Sequence, residues 1–229
     1  LRPEKANIVA VVPVRDKLGL GTTELNLLER SITLLKQAKY VDNIYLISSS
    51  SSLAEKCGVL WVDRDTIPNV DSLGMDEFLQ KVLDVIESRT DYPEAFLYIN
   101  YDYIDRPEEL FDELIRDAQY EGYDTVFSGF VDFGHYWFKN DANEYNQIDD
   151  SMNMRSERQP VFRALYGLGC VTSATIIRSG KLVGGKVGIL PIDHFRHTLR
   201  LRDCGTKDNS KIFAAKDLLQ SKRVGNEKD

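Results

Sequence analysis

The sequence contains few cysteines and no paired cysteine motif. Its three cysteines, Cys57, Cys170 and Cys204, are an odd number and lie far apart, so neither a disulfide framework nor a structural zinc site is indicated. No charge-free apolar run approaches the roughly 20 residues that span a bilayer, and the N-terminus lacks a signal-peptide pattern. Together these absences favour a cytoplasmic protein in a reducing compartment.

The sequence also carries fewer positive than negative charges. Lysine and arginine number 29 against 36 aspartates and glutamates, which gives a formal net charge of −7. Binding to a nucleic-acid backbone depends on clustered lysines and arginines, so this composition argues against a nucleic-acid partner. An acidic protein can still bind a nucleotide, but the binding requires a local positive site.

Motifs for covalent catalysis are missing. The sequence shows neither a nucleophile elbow nor a Ser-His-Asp order, and no cysteine has an activating partner nearby in the sequence. His194, His197 and Asp203 lie close together in the chain, but their spacing is of a kind that arises often by chance. Neither covalent catalysis nor zinc binding is therefore expected.

What the sequence does contain is an alternation of strand and helix patterns. Residues 7–14 form a β-branched run typical of a strand buried on both faces, residues 25–38 carry apolar residues at helical spacing, and residues 43–48 form a second strand. Further strands are predicted at 59–62, 95–100, 125–130 and 169–178, and further helices at 53–57, 75–88, from 106 onward and at 216–224. With 42% hydrophobic residues, the pattern predicts one α/β domain over 1–229 with a Rossmann-like, doubly wound, mostly parallel sheet.

One segment departs from this alternation. Residues 132–158 are aromatic and polar but poor in aliphatic residues. A long insertion in a compact domain is usually a lid, a binding loop or an oligomerisation arm. Disorder is the alternative, and the aromatic side chains Tyr136, Trp137 and Phe138 argue against it. The segment is therefore expected to be an inserted arm.

Ligands of open α/β sheets bind beyond the carboxyl ends of the strands, so residues that follow strands are the candidate site. Arg15 follows the first predicted strand, and Gly19 and Gly21 lie in the loop after it. Backbone N–H groups of such a loop and the N-terminus of the next helix suit a triphosphate. The loop matches neither the Rossmann nor the P-loop spacing, so a structural turn is an equal alternative.

A second strand end carries a carboxylate. Asn100 and Asp102 follow the very apolar predicted strand 95–100. Mg²⁺ is usually held by one or two carboxylates together with substrate phosphates, so Asp102 is the preferred candidate ligand. In the alternative interpretation, Asp105 caps the next helix and Asp102 is a solvated loop residue.

A basic cluster lies near the end of the insertion. Arg155, Arg158 and Gln159 offer forked donors that suit the carboxylate of a sugar acid or a nucleotide phosphate. Surface salt bridging is at least as good an explanation. Further on, Gly184 and Gly185 precede an apolar run, which most simply indicates a tight turn into a strand.

In their order and spacing these pieces resemble the acylneuraminate cytidylyltransferase family, from about residue 9 to residue 203. The matches are loose individually, and their agreement in order is the stronger observation. The similar stretches are Val12-Pro13-Val14-Arg15 with Asn26, Leu53-Ala54-Glu55 with Gly58, Arg64 and Val70-Asp71, then Arg158-Gln159, Leu168-Gly169-Cys170 and Gly184-Gly185-Lys186.

The resemblance implies a nucleotide-diphospho-sugar transferase-like fold, a homodimer in which the arm 132–158 reaches the neighbour, and a reaction. CTP and the hydroxyl of a sialic acid-type sugar acid would give a CMP-sugar and pyrophosphate, with Mg²⁺ as the cofactor. The implied catalytic residues are Arg15 and Asp102. Implied nucleotide-binding residues are Arg15, Lys17, Gly19, Gly21, Asn26, Ser48, Asp71 and Asn100, implied sugar-acid residues are Arg155, Arg158 and Gln159, and implied metal ligands are Asp102 and Asp203.

The chain also departs from that family's pattern. Lys17 is the only lysine left in the expected phosphate loop, and the paired aspartates expected near the C-terminus fall on Thr198 and Arg200. An arginine in the position of a metal ligand repels Mg²⁺. Two further hypotheses therefore stay open: a catalytically silent member that binds a nucleotide, sugar or protein partner, and a glycosyltransferase in which Asp102 binds a metal and a UDP-sugar.

Overall fold

The computed structural model describes residues 6–15, 19–89, 91–148, 154 and 157–205. Short 3-10 turns cover Arg64–Thr66, Phe195–Thr198 and Leu201–Gly205. None of the described helices is both long and apolar enough to span a bilayer. The strands are β1 (Ile8–Pro13), β2 (Asn43–Ser48), β3 (Leu60–Asp63), β4 (Ala95–Tyr98), β5 (Thr125–Asp132), β6 (Trp137–Lys139), β7 (Tyr145–Gln147), β8 (Val161–Ala164), β9 (Cys170–Ser173) and β10 (Val187–Ile192). The helices are α1 (Thr22–Gln37), α2 (Ser51–Cys57), α3 (Met75–Glu87), α4 (Leu110–Tyr120) and α5 (Ala174–Arg178).

Eight of the strands in the described residues form one mixed sheet in the order β10-β5-β9-β4-β1-β2-β3, with β8 paired to β5. Strands β1 to β4 pair only in parallel with one another, as do β5 and β10. Strand β9 runs antiparallel between β4 and β5. The predicted α/β class with a mostly parallel sheet is confirmed.

Helices cover both faces of this sheet. On β1, Ile8, Ala10 and Val12 pack into one core with α1, α2 and α4, whereas Val9 and Val11 pack into a second core with α3 and α5. Successive side chains of a strand point to opposite faces, so an uninterrupted apolar strand feeds both cores. The prediction of a strand buried on both faces is confirmed.

Two element boundaries differ from the sequence prediction. Helix α4 begins at Leu110 rather than near 106. Arg106 lies before the helix because its side chain is buried and donates hydrogen bonds to the main chain of neighbouring loops. The predicted strand 169–178 ends at Ser173, and Ala174 begins α5. Short apolar runs do not separate strand from helix by periodicity. The helix predicted at 216–224 lies outside the described residues.

The insertion between β5 and β8 contains a hairpin. Strands β6 and β7 pair antiparallel, with Trp137 opposite Gln147, and Asn143 in the turn adopts a φ of 69°. Asparagine tolerates this left-handed conformation better than most residues. The described part of the insertion therefore includes a paired hairpin, on which the aromatic side chains Trp137, Phe138 and Tyr145 are exposed.

Candidate functional site

Three strand ends meet at one edge of the sheet. β1 leads to Arg15, β3 leads to Arg64, and β4 leads to Asn100 and Asp102. Since β1 to β4 are parallel, their carboxyl ends lie on the same edge, and β1 lies between β2 and β4. This edge is the switch point of the sheet, where open α/β sheets bind ligands.

A cleft of about 320 Å³ opens at this switch point. Among the described residues, its charged lining consists of three arginines, Arg15, Arg64 and Arg202, and one carboxylate, Asp102. The cleft is therefore a local positive site in a chain whose net charge is −7. The other lining residues are Pro13, Val70, Leu73, Met75, Phe78, Asn100 and Tyr101.

Arg15 and Arg64 enter the cleft in different states. Arg15 is exposed and has no hydrogen-bond or ion-pair partner among the described residues. Arg64 has a side chain that is only 4% exposed, lies over the ring of Phe78 at 5.2 Å and approaches Asp71 to 3.8 Å. Arg64 is thus held in place by its surroundings, whereas Arg15 is available to an anionic ligand.

Asp102 is held in an ion pair with Arg202. The Nε of Arg202 donates to Oδ2 of Asp102 at 2.5 Å, and the Asp102 side chain is 13% exposed. This hydrogen bond is the main reason that the pKa of Arg202 is raised. The other oxygen of Asp102, Oδ1, is buried and accepts no hydrogen bond from the residues that the structure describes.

Arg106 is a buried residue that binds the main chain next to the cleft. Its fully buried guanidinium donates to the main-chain oxygens of Asn100, Gly167 and Leu168 and to the hydroxyl of Ser31. Burial lowers the pKa of Arg106 to about 10, so the side chain stays charged at neutral pH. Arg106 therefore fixes the segment that carries Asn100 into the cleft.

Several residues predicted to bind the nucleotide lie outside the cleft lining. The Ser48 hydroxyl is buried and donates to the Ser50 carbonyl, and the Gly21 N–H donates to the Glu24 carboxylate. Gly19 has a φ of +80° in the loop before α1, and Asn26 is exposed on α1. These contacts explain Ser48 and Gly21 by local structure, and their role in binding stays a prediction.

The remaining predicted residues are also away from the cleft or outside the described chain. Asp71 lines an adjoining shallow depression. Arg158 donates to the carbonyl of Phe133, and Gln159 is exposed. Lys17 and Arg155 lie outside the described residues. Of the predicted site residues, the structure brings Arg15, Asn100 and Asp102 together in the cleft.

The sequence prediction missed Arg202. This arginine reaches Asp102 because main-chain pairing aligns the two segments: Leu201 N–H donates to the Asp102 carbonyl at 2.7 Å, and Tyr103 forms a β-bridge with Arg200. The sequence does show an Arg-Leu-Arg-Asp stretch at 200–203, near the position of the expected metal ligands. A contact between residues that lie 100 positions apart, however, cannot be predicted from sequence spacing.

The carboxylates do not fit a resident Mg²⁺. Oδ2 of Asp102 already accepts from Arg202, and Asp203 accepts from the N–H of Arg200 at 3.3 Å and lies 3.5 Å from its guanidinium. In the part of the chain that the structure describes, no three His, Cys, Asp or Glu side chains are grouped to hold a metal. The prediction of Mg²⁺ at Asp102 and Asp203 therefore gains no support from this geometry.

A second depression of about 460 Å³ adjoins the cleft and shares Asn100 and Met75 with it. Its lining includes Tyr98, Tyr166 and Arg200. Because the two depressions share residues, a ligand in one lies next to a ligand in the other.

Comparison with solved structures finds proteins of similar fold. The structure of a CMP:2-keto-3-deoxy-manno-octonic acid synthetase complexed with CTP matches with a TM-score of 0.60 at 8% identity, over 93% of this chain and 100% of that one. The 4-diphosphocytidyl-2C-methyl-D-erythritol synthase of Anaerococcus prevotii matches with a TM-score of 0.62 at 14% identity, over 93% of this chain and 96% of that one. No protein-family profile and no curated protein matches the sequence. The chain thus has the fold of these enzymes at sequence identities that carry no further assignment.

Proposed function

We propose that this chain is a nucleotidyltransferase that uses CTP and forms a CMP-sugar. The observation that carries the proposal is the cleft at the switch point, where three arginines surround a single carboxylate. Arginine forks match phosphate oxygens bidentately. The similarity in fold to a synthetase complexed with CTP supports the choice of nucleotide.

In this proposal the hydroxyl oxygen of the acceptor attacks the α-phosphorus of CTP. The new P–O bond forms as the bond between the α-phosphorus and the bridging oxygen to the β-phosphate breaks, pyrophosphate leaves with that oxygen, and the hydroxyl proton passes to solvent. Arg15 donates to the departing pyrophosphate, where negative charge builds up. Arg64, fixed against Phe78, adds a preorganised positive charge that needs no rearrangement during the reaction.

The acceptor is proposed to be a sialic acid-type sugar acid in the adjoining depression. That depression lies next to Asn100 and is lined by hydroxyl-bearing tyrosines and by Arg200. Tyrosine hydroxyls suit the hydroxyls of a sugar, and an arginine suits its carboxylate. Of the three residues predicted for this role, Arg158 and Gln159 do not line the depression, and Arg155 lies outside the described residues.

A second candidate function is nucleotide binding without turnover. It is favoured by the ion pair of Asp102 with Arg202, because this carboxylate is the one in the cleft that a transferase would use for catalysis. The first and second functions predict different results with the same ligand.

Pyrophosphate release from CTP across a panel of sugar acids, measured with and without Mg²⁺, tests the proposal. Release that requires one acceptor supports the transferase. A rise in melting temperature with CTP but no release supports the silent binder. Stabilisation only by a UDP-sugar with Mn²⁺ would replace both with a glycosyltransferase.

The arm is proposed to join two copies of the chain. Trp137, Phe138 and Tyr145 are 59%, 51% and 70% exposed on the hairpin, and such clustered aromatics are enriched at protein interfaces. A Trp137→Glu variant is expected to convert a dimer into a monomer in light scattering coupled to size exclusion. Tyr92→Glu, which alters an aromatic residue 64% exposed outside the arm, is the matched control. A monomeric parent protein would show that the dimer prediction is wrong.

A further inference from the structure

The pairing of Arg202 with Asp102 is built into the main chain. Leu201 N–H donates to the Asp102 carbonyl at 2.7 Å, and Ile104 N–H donates to the Leu199 carbonyl at 3.0 Å. Both bonds join the segment that carries Asp102 to the segment that carries Arg202. The main-chain pairing of the two segments therefore positions the guanidinium of Arg202 next to the carboxylate of Asp102.

This pairing changes what the cleft attracts. Oδ2 of Asp102 is occupied by a cationic donor, and Arg15 and Arg64 add two more positive charges to the same lining. A divalent cation would have to displace or approach these guanidiniums, which costs Coulomb energy. A polyphosphate, in contrast, meets three arginines and one carboxylate, which leaves a surplus of two positive charges in the described lining.

We propose that the guanidinium of Arg202, together with Arg15 and Arg64, holds the phosphates of the ligand in place of a divalent cation, so that the cleft binds a nucleoside polyphosphate without Mg²⁺. This inference extends the proposed function by defining how that site handles charge. It does not require turnover. Inorganic pyrophosphate is therefore a sufficient probe, and CTP is the second probe.

The test is calorimetric titration of the full chain with each probe, in EDTA and in Mg²⁺. Pyrophosphate is expected to bind in EDTA, and Mg²⁺ is expected to leave its affinity unchanged or to lower it, because Mg²⁺ competes with the arginines for the probe. Binding that appears only with Mg²⁺, or that Mg²⁺ strengthens about tenfold or more, would overturn the inference. Absence of pyrophosphate binding in both buffers would overturn it as well.

An Arg202→Gln variant sharpens the test. Loss of one charge-assisted hydrogen-bond donor is expected to weaken pyrophosphate binding in EDTA about ten- to hundredfold. The variant also leaves Asp102 without its cationic partner, so Mg²⁺ should now strengthen binding, an effect that is not expected for the parent protein. Arg202→Lys keeps the positive charge and is expected to retain part of the binding in EDTA.

Arg116→Gln, at an exposed position on α4 outside the cleft lining, is the matched control and should bind as the parent does. If Arg202→Gln binds pyrophosphate in EDTA as tightly as Arg116→Gln, Arg202 does not hold phosphate and the inference is wrong. If pyrophosphate binds without metal but CTP does not, the proposed function fails while the metal-free anion site stands.

Discussion

An Arg106→Ala variant is expected to lose about 3 kcal/mol of unfolding free energy. The buried guanidinium donates to the carbonyls of Asn100, Gly167 and Leu168. Truncation leaves buried acceptors without donors and a cavity beneath the sheet edge, and each unsatisfied buried group costs about 1–3 kcal/mol. Urea denaturation, read as a fall in the midpoint at an unchanged slope, measures the loss.

Two further variants isolate the cause. Arg116→Ala, on the exposed face of α4, should change stability by less than about 0.5 kcal/mol. Arg106→Lys keeps the charge but lacks the forked donors that reach several acceptors, so it should recover only a part of the loss. Equal stability of the Arg106→Ala and Arg116→Ala variants would show that the Arg106 network contributes nothing.

Most of the fold could be predicted because its signals are local. The β-branched run at β1 and the helical spacing of Leu28, Ile32 and Leu35 record which faces are buried, and such periodicity is what a sequence displays directly. The strand β9 was overextended because the apolar residues of α5, such as Ile177, suit a strand equally well. Only tertiary pairing, which ends at Ser173, decides between them.

The candidate site was predictable in part. Arg15 and Asp102 follow parallel strands, and the rule that ligands bind beyond strand ends was enough to suggest that they share a cleft. Arg202 comes from a separate segment after β10, so its position depends on the bridge between Tyr103 and Arg200. Ser48 shows the limit of that rule, since it ends strand β2 but its hydroxyl donates to the carbonyl of Ser50 in the turn that follows.

Arg15→Gln is expected to abolish most activity without affecting the fold. Arg15 has no partner among the described residues, so its removal leaves no buried group unsatisfied and should change the unfolding free energy by less than about 0.5 kcal/mol. Pyrophosphate release from CTP should fall by about 10²–10³-fold, the usual effect of removing one donor aimed at developing charge. The rate assay and the urea midpoint are measured on the same preparation.

Variants of Arg106 and Arg15 are expected to affect different properties of the protein. Arg106 contacts other groups of the protein, so its replacement should mainly lower the unfolding free energy. Arg15 lines the cleft, so its replacement should mainly lower the reaction rate and the affinity for CTP. If the parent protein binds CTP without turnover, calorimetric titration replaces the rate, and Arg15→Gln should weaken binding about ten- to hundredfold. A variant that loses neither rate nor affinity would mean that the nucleotide does not occupy the switch-point cleft, because Arg15 is the one arginine of the cleft lining that has no partner among the described residues.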